Sequence, residues 1–248
     1  MNTTLVTCYY KLHKSKHTHE EYNKWINNLI SNLRTNIVIY TSSYHYEYID
    51  EICSKNKNLN YKIIIKEIDN FNIVKNHPDI WENQEQIDPN KRCGRGKGCY
   101  IIWNSKFDLI KETIEMNPFN SDNYIWNDIG NVRDSNIIPY LTQYPNGNNI
   151  STNKIDIVVI NGFKNDNQMF FQDEVHFSGS MFGGSKEILL EIHKLYYLYF
   201  NMYLRKGLFI GCDQQIISSV FLRNRDKFNC IIPNNTIDPW FHLYVHYS

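Results

Sequence analysis

Residues 5–41 read LVTCYYKLHKSKHTHEEYNKWINNLISNLRTNIVIYT, and the succession of patterns in this stretch decides the fold class. Leu5 to Tyr9 is a short β-favouring run, followed by polar Lys11 to His19. Thr18 and Glu21 stand at capping-box spacing, where hydroxyl and carboxylate each satisfy the other residue's backbone amide. Tyr22, Trp25, Ile26, Leu29 and Leu33 then recur at helical spacing and give one face to bury. Ile37 to Thr41 is a second apolar run. Beyond a polar helix, Tyr61 to Ile68 is a third, with Tyr61, Ile63 and Ile65 alternating. Strand, helix, strand, helix, strand with connections of helical length predicts an α/β domain whose mostly parallel sheet is flanked by helices on both faces.

Further along, Asp69 to Gly98 is polar and irregular, longer than most compact-domain loops, and reads as a functional or mobile segment. Asn104 is placed to cap a helix carrying Phe107, Ile110 and Ile114, which Asn117-Pro118 stops. Asn123 to Ile129 is strand-like up to Gly130, and Ile155 to Ile160 is another apolar run. Ser185 caps the longest helix, with Ile188, Ile192, Leu195, Tyr199 and Tyr203 on one face and Gly207 as its left-handed stop. A further helix starts at Asp213.

The 248 residues carry 26 basic and 26 acidic side chains, which argues against a nucleic-acid clamp. A chain of this length removes roughly 70% of its unfolded surface from water, so a single domain spanning 1–248 is expected. It has no apolar run of about 18 residues and no signal-like start, so a cytoplasmic protein without a membrane span is expected. There are 33 Asn, 33 Ile and no Ala, the signature of AT-rich codons, so asparagine and aromatic content carry less chemical meaning here than elsewhere. The six cysteines read as free thiols. Cys93 and Cys99 bracket Gly94-Arg95-Gly96-Lys97-Gly98 without the further close ligands that zinc needs. That loop lacks the Gly-Lys-Ser/Thr order of a phosphate loop and reads as solvated.

Asp128 closes an apolar strand and precedes Gly130, so its carboxylate should project at the C-terminal edge of the sheet, where open α/β sheets bind ligands. Magnesium or manganese bridging a diphosphate needs carboxylate oxygens at such an edge, while the plainer reading is an Asp bonded to turn amides. Asp213 at a helix start is either an ordinary cap or an exposed, ionised base. Ser178 to Ser185 (SGSMFGGS) places small residues before a helix, but lacks the GxGxxG order and follows no clear strand. His242 and His246 share a face if helical, with metal ligation the less common use of such a pair. Trp25 and Trp126 read as core.

Taken in order, TLVTCYYKL at 4–12, IVIYT at 37–41, WNSK at 103–106, NPFNSDNYIWNDIGNVR at 117–133, and SGSMFGGS with its long helix resemble the HtrL/YibB-like family. That family occurs among bacterial lipopolysaccharide-cluster proteins and resembles GT-A glycosyltransferases. The resemblance implies a Rossmann-like, GT-A-like fold. Residues 1–133 would bind a nucleotide diphosphate sugar, and 134–248 would face a glycan or glycolipid acceptor. On that implication Thr7, Tyr9 and Thr41 line base and ribose, Lys106 and Arg133 reach the diphosphate, and Asp128 takes the place of the first acid of an Asp-x-Asp motif. The second acid is replaced by Gly130, so metal dependence is open. Manganese or magnesium would need Asp128 with diphosphate oxygens and His242 or His246, or else Lys106 and Arg133 replace the ion. Asp213, in Cys212 to Gln215 (CDQQ), becomes the general base of an inverting reaction. In a retaining one, Asp213 or Gln214 orients or stabilises the sugar. A catalytically inactive nucleotide-sugar or glycan-binding protein is the competing expectation, and nucleotidyl transfer is disfavoured by the lack of paired acids. Sugar, base, acceptor and oligomeric state, a homodimer included, are left open.

Overall fold

A computed structural model describes residues 1–90, 94–165 and 167–248. Cys93, paired in the sequence reading with Cys99, lies outside the described residues. Seven strands form one sheet in the order β3-β2-β1-β4-β6-β5-β7. They are β1 (Thr3–Tyr9), β2 (Asn36–Thr41), β3 (Asn60–Ile65), β4 (Asn123–Asn127), β5 (Ile155–Val159), β6 (Phe177–Ser185) and β7 (Phe228–Ile231). The pairs β1–β2, β2–β3, β1–β4 and β5–β7 are parallel, and β6 runs antiparallel to both β4 and β5. The expected α/β fold with a mostly parallel sheet is therefore present.

Alternation along the strands divides the core in two. Leu5, Ile37, Ile39 and Ile125 face one way, against α1 (His19–Asn32) and α2 (Tyr46–Lys55). Val6, Val38, Tyr40 and Trp126 face the other, against α5 (Lys97–Met116), α7 (Lys186–Arg205) and α8 (Asp213–Arg223). The α1 helix begins with the Thr18–Glu21 capping box, both reciprocal bonds being present. Its Ile26, Leu29 and Ile30 have no exposed surface, and truncating such a leucine to alanine costs about 2–5 kcal/mol. Ser185 caps α7 by accepting from Ile188 N, and Gly207 ends it at φ +65°. Among the described residues no helix is long and apolar enough to cross a membrane.

Three local readings are corrected. SGSMFGGS, read only as small residues leading into a helix, is the greater part of β6, a central strand. Its glycines let neighbours approach: a Cβ on Gly183 would stand 2.8 Å from the Tyr247 hydroxyl, and one on Gly184 2.7 Å from Ile188. Asn104 does not cap a helix. It lies buried inside α5, donating to Tyr100 O (2.7 Å) and Ile210 O (2.9 Å) and accepting from the Tyr196 hydroxyl (2.7 Å). The stretch read as irregular contains α3 (Asn72–Asn76) and α4 (Trp81–Ile87). Glu85 of α4 caps the start of α5 by accepting from Lys97 N at 2.7 Å, so Lys97 opens a helix rather than sitting in a solvated loop.

Candidate active site

Asp128 follows the last residue of β4, and its amide donates to Ser180 O on β6 at 2.9 Å. The turn closes through Asn131 N to Asp128 O at 3.1 Å. Asp128 thus sits at the C-terminal edge of the sheet where parallel β1 and β4 meet antiparallel β6, with its side chain 35% exposed. Trp126 lies two residues earlier, on the same face of the strand, and its indole N–H donates to Asp128 Oδ1 at 2.7 Å. A Cβ at Gly130 would stand 3.0 Å from the Tyr22 ring and 3.2 Å from Trp25, so a side chain there needs those rings to give by a few tenths of an ångström.

Two further residues converge on this carboxylate. Lys106, near the middle of α5, is 2% exposed, and its ammonium donates to Gly179 O of β6 at 2.7 Å. It stands 2.9 Å from Asp213 Oδ2 and 3.3 Å from Asp128 Oδ1. Asp213, the first residue of α8, is 4% exposed, and its Oδ1 accepts from Gln214 N at 3.0 Å. Its Oδ2 meets Lys106 as a charge contact without an aligned hydrogen bond. Burial by itself would lower the lysine pKa, but the carboxylates of Asp128 and then Asp213 outweigh it and carry it above the ordinary 10.5. Burial raises the Asp213 pKa above 3.8, with Lys106 opposing.

The sequence candidates Asp128, Asp213 and Lys106 are therefore brought together, though Lys106 is locked between the acids rather than presented to the cleft. The Gln214 amide is spent inside the protein: Nε2 donates to Phe177 O at 2.6 Å, and Oε1 accepts from Cys212 Sγ at 3.4 Å. Thr7 and Thr41 have no exposed surface. The Thr41 hydroxyl donates to Tyr9 O at 2.8 Å, and the Tyr9 hydroxyl bonds His19 Nδ1 at 2.8 Å. Tyr10, Lys11, Ser42, His45 and Glu67 border a pocket of about 230 Å³ at the ends of β1, β2 and β3. Arg133 is exposed, with Nε donating to Gly130 O at 3.1 Å.

His242 is buried, and among the described residues neither its Nδ1 nor the buried Nε2 of His246 has a hydrogen-bond partner; His246 belongs to α9 (Leu243–His246). Burial lowers the His242 pKa, with His246 adding to the effect. Among the described residues no three His, Cys, Asp or Glu side chains group closely enough to hold a metal ion. Asp128 offers the cleft one oxygen beyond the one Trp126 and Lys106 occupy, so the side chains of the described residues do not complete the shell of a divalent ion. Trp126, read as core, and the carbonyl of Gly179, read only as one of the small residues of SGSMFGGS, are the parts of the site whose roles sequence reasoning missed. Trp126 was detectable from its i, i+2 relation to Asp128. Gly179 carried no such signal.

A seven-stranded, mostly parallel sheet in this order, flanked by helices, is a GT-A-like α/β fold. The chain belongs to the HtrL_YibB family, described as "Bacterial protein of unknown function (HtrL_YibB)", whose model matches residues 1–247. Among solved structures it is similar to the crystal structure of mouse xyloside xylosyltransferase 1 in its apo form. The TM-score is 0.52 at 12% identity, with 93% of this chain and 85% of that chain covered. No curated protein matches the sequence.

Proposed function

We propose that this chain is a glycosyltransferase, moving a sugar from a nucleoside diphosphate donor to an acceptor hydroxyl on a glycan or glycolipid. The observation that carries the reading is the convergence of Asp128, Lys106 and Asp213 from β4, α5 and α8 at the sheet edge. Clustered buried charges of this kind cost folding energy and concentrate at functional sites. The similarity in fold to a xylosyltransferase supports the same class.

In this reading the nucleoside occupies the pocket beside Tyr10 and Ser42, and the diphosphate extends towards Asp128. The bond from the anomeric carbon to the diphosphate oxygen breaks and the electron pair leaves with the diphosphate, while the acceptor oxygen bonds to the anomeric carbon and its proton passes to an oxygen of the departing diphosphate. Asp213 is held at the start of α8 by Gln214 N and Lys106, which suits a fixed charge stabilising the oxocarbenium-like centre better than a mobile proton acceptor. Manganese or magnesium, if used, would rest on the free Asp128 oxygen and on donor oxygens, where it would offset the charge of the leaving diphosphate.

The test is incubation of the purified protein with a panel of nucleotide sugars, with and without manganese, following nucleotide release. Slow donor hydrolysis that Asp128→Asn abolishes is expected. Full activity in Asp128→Asn would remove that residue from the mechanism. Binding of donors with no hydrolysis or transfer would favour the second reading, an inactive nucleotide-sugar or glycan-binding protein. Gly130 in the place of a second acid lends that reading its support.

A further inference from the structure

A larger cleft, of about 760 Å³, lies between α1, the turn after β4 and residues 235–241. Both of its loop walls are tied to Ser180, the residue that receives the Asp128 amide. Ser180 O also accepts from the Asn131 side chain at 3.1 Å, and Ser180 Oγ donates to Trp240 O at 3.0 Å. The cleft is therefore anchored to the same strand residue as the candidate site.

Arg133 lines this cleft, its guanidinium 4.6 Å from the Trp25 ring centroid and 5.4 Å from that of Phe241. Two rings and the Nε bond to Gly130 O fix the fork, and NH1 lies 3.4 Å from His17 Nε2. Lys24, exposed on α1, lines the cleft as well. Among the described residues neither cation has a carboxylate partner. The two acids of the lining are turned to their own backbone: Asp134 accepts from Asn136 N and Asp238 from Trp240 N, each at 3.0 Å. The side-chain amides of Asn136 and Asn235, also in the lining, have no partner among the described residues.

We propose that this cleft binds the acceptor and that the acceptor is an acidic sugar. Its carboxylate or phosphate is taken by Arg133 with Lys24, and its hydroxyls by the amides of Asn136 and Asn235. A pre-set guanidinium fork matches either anion in two parallel hydrogen bonds. The cleft is distinct from the nucleoside pocket at the ends of β1 to β3: the two share no lining residue, and the 235–241 wall of the cleft is bonded to β6. The assignment of the anion to an acceptor rests on the glycosyl-transfer reading.

The test uses the full chain, isotope-labelled for NMR, titrated with glucuronate, glucose 6-phosphate and glucose at constant ionic strength. An acidic sugar should shift the Arg133 Nε–H and the side-chain amides of Asn136 and Asn235, with an affinity at least about tenfold above that of glucose. Arg133→Gln should remove that preference, and Lys24→Gln should weaken it. Whichever acid binds identifies the substituent. Equal shifts with glucose, or displacement of the acidic sugar by uridine diphosphate, would overturn the proposal, the latter because the anion site would then belong to the donor. Donor hydrolysis on the same sample separates the claims. Turnover without an acidic-sugar preference defeats the cleft proposal alone, whereas a filled cleft without turnover defeats the transferase reading and the acceptor role with it.

Discussion

Lys106 Nζ lies 2.9 Å from Asp213 Oδ2, although one side chain comes from the middle of α5 and the other from the first turn of α8. Both are nearly inaccessible, with side-chain exposures of 3% and 5%, so water does little to relieve either charge if the other is removed. Lys106→Met should therefore destabilise the fold by about 3–5 kcal/mol, read from urea unfolding. The double variant Lys106→Met with Asp213→Asn should recover part of that loss, because no buried carboxylate is then left opposite a methionine. Strict additivity of the two single losses would show that the contact carries no coupling.

Trp126 reaches Asp128 through a single indole N–H at 2.7 Å while its ring packs in the core. Trp126→Phe keeps most of the packing and deletes the donor, so stability should fall by only about 1–3 kcal/mol. Donor turnover should fall further, by about tenfold or more, because a carboxylate without its fixed donor no longer holds one orientation. Wild-type turnover in the phenylalanine variant would assign the indole to packing alone.

How much of this could be read from sequence varies with the interaction that sets each element. The first half of the sheet was legible because β1, α1 and β2 each bury apolar residues at their own period, and that local pattern agrees with the tertiary fold. Strand β6 was not. Its glycines and serines have little intrinsic preference for a strand, and β4 and β5 on either side hold it there. Asn104 followed the same logic, since its three partners lie on α5 itself, on residue 210 and on α7. At the site, Asp128 and Asp213 were detectable from where strand and helix signals stop. Lys106 came to the site only through the family resemblance, and its burial between the two acids was not legible, because the depth of a lysine depends on which helix face meets the sheet. Thr7, Tyr9 and Thr41 are still covered by their neighbours, and the pocket at the strand ends opens one residue further on, at Tyr10 and Ser42, a difference of exposure that the strand pattern alone does not carry.

Gly179 tests the close packing around Asp213. A Cβ there would stand 3.0 Å from both Asp213 carboxylate oxygens and 2.9 Å from Gln214 Cγ. Gln214 is fastened to Phe177 O, so neither neighbour can swing aside freely. Gly179→Ala should cost about 1–3 kcal/mol of stability and lower turnover through displacement of Asp213. Gly162→Ala, where an added Cβ meets nothing within 4 Å, is the control, and it should leave both quantities near wild type. Equal behaviour of the two variants would show that the site tolerates a shift of its acid.

The behaviour at high pH follows from the tyrosines. Burial raises the pKa of Tyr144, Tyr196 and Tyr247 well above 10, and each hydroxyl donates inside the protein, to Asn127, Asn104 and Asp156 respectively. The folded chain keeps protons that the unfolded chain releases, so this stability is intact below pH 10 and is lost as pH rises beyond it. Each pH unit in that range costs about 1.4 kcal/mol per protected tyrosine. Lys106 acts in the same sense above 10.5. Following tyrosinate absorbance and far-ultraviolet circular dichroism together should show an exposed fraction of the 18 tyrosines ionising first. The remainder should ionise only as the dichroism collapses, in one cooperative step. If all 18 titrate while the dichroism is unchanged, the buried hydroxyls are open to solvent, and the packing between the sheet and α7 is looser than the hydrogen bond from Tyr196 to Asn104 requires.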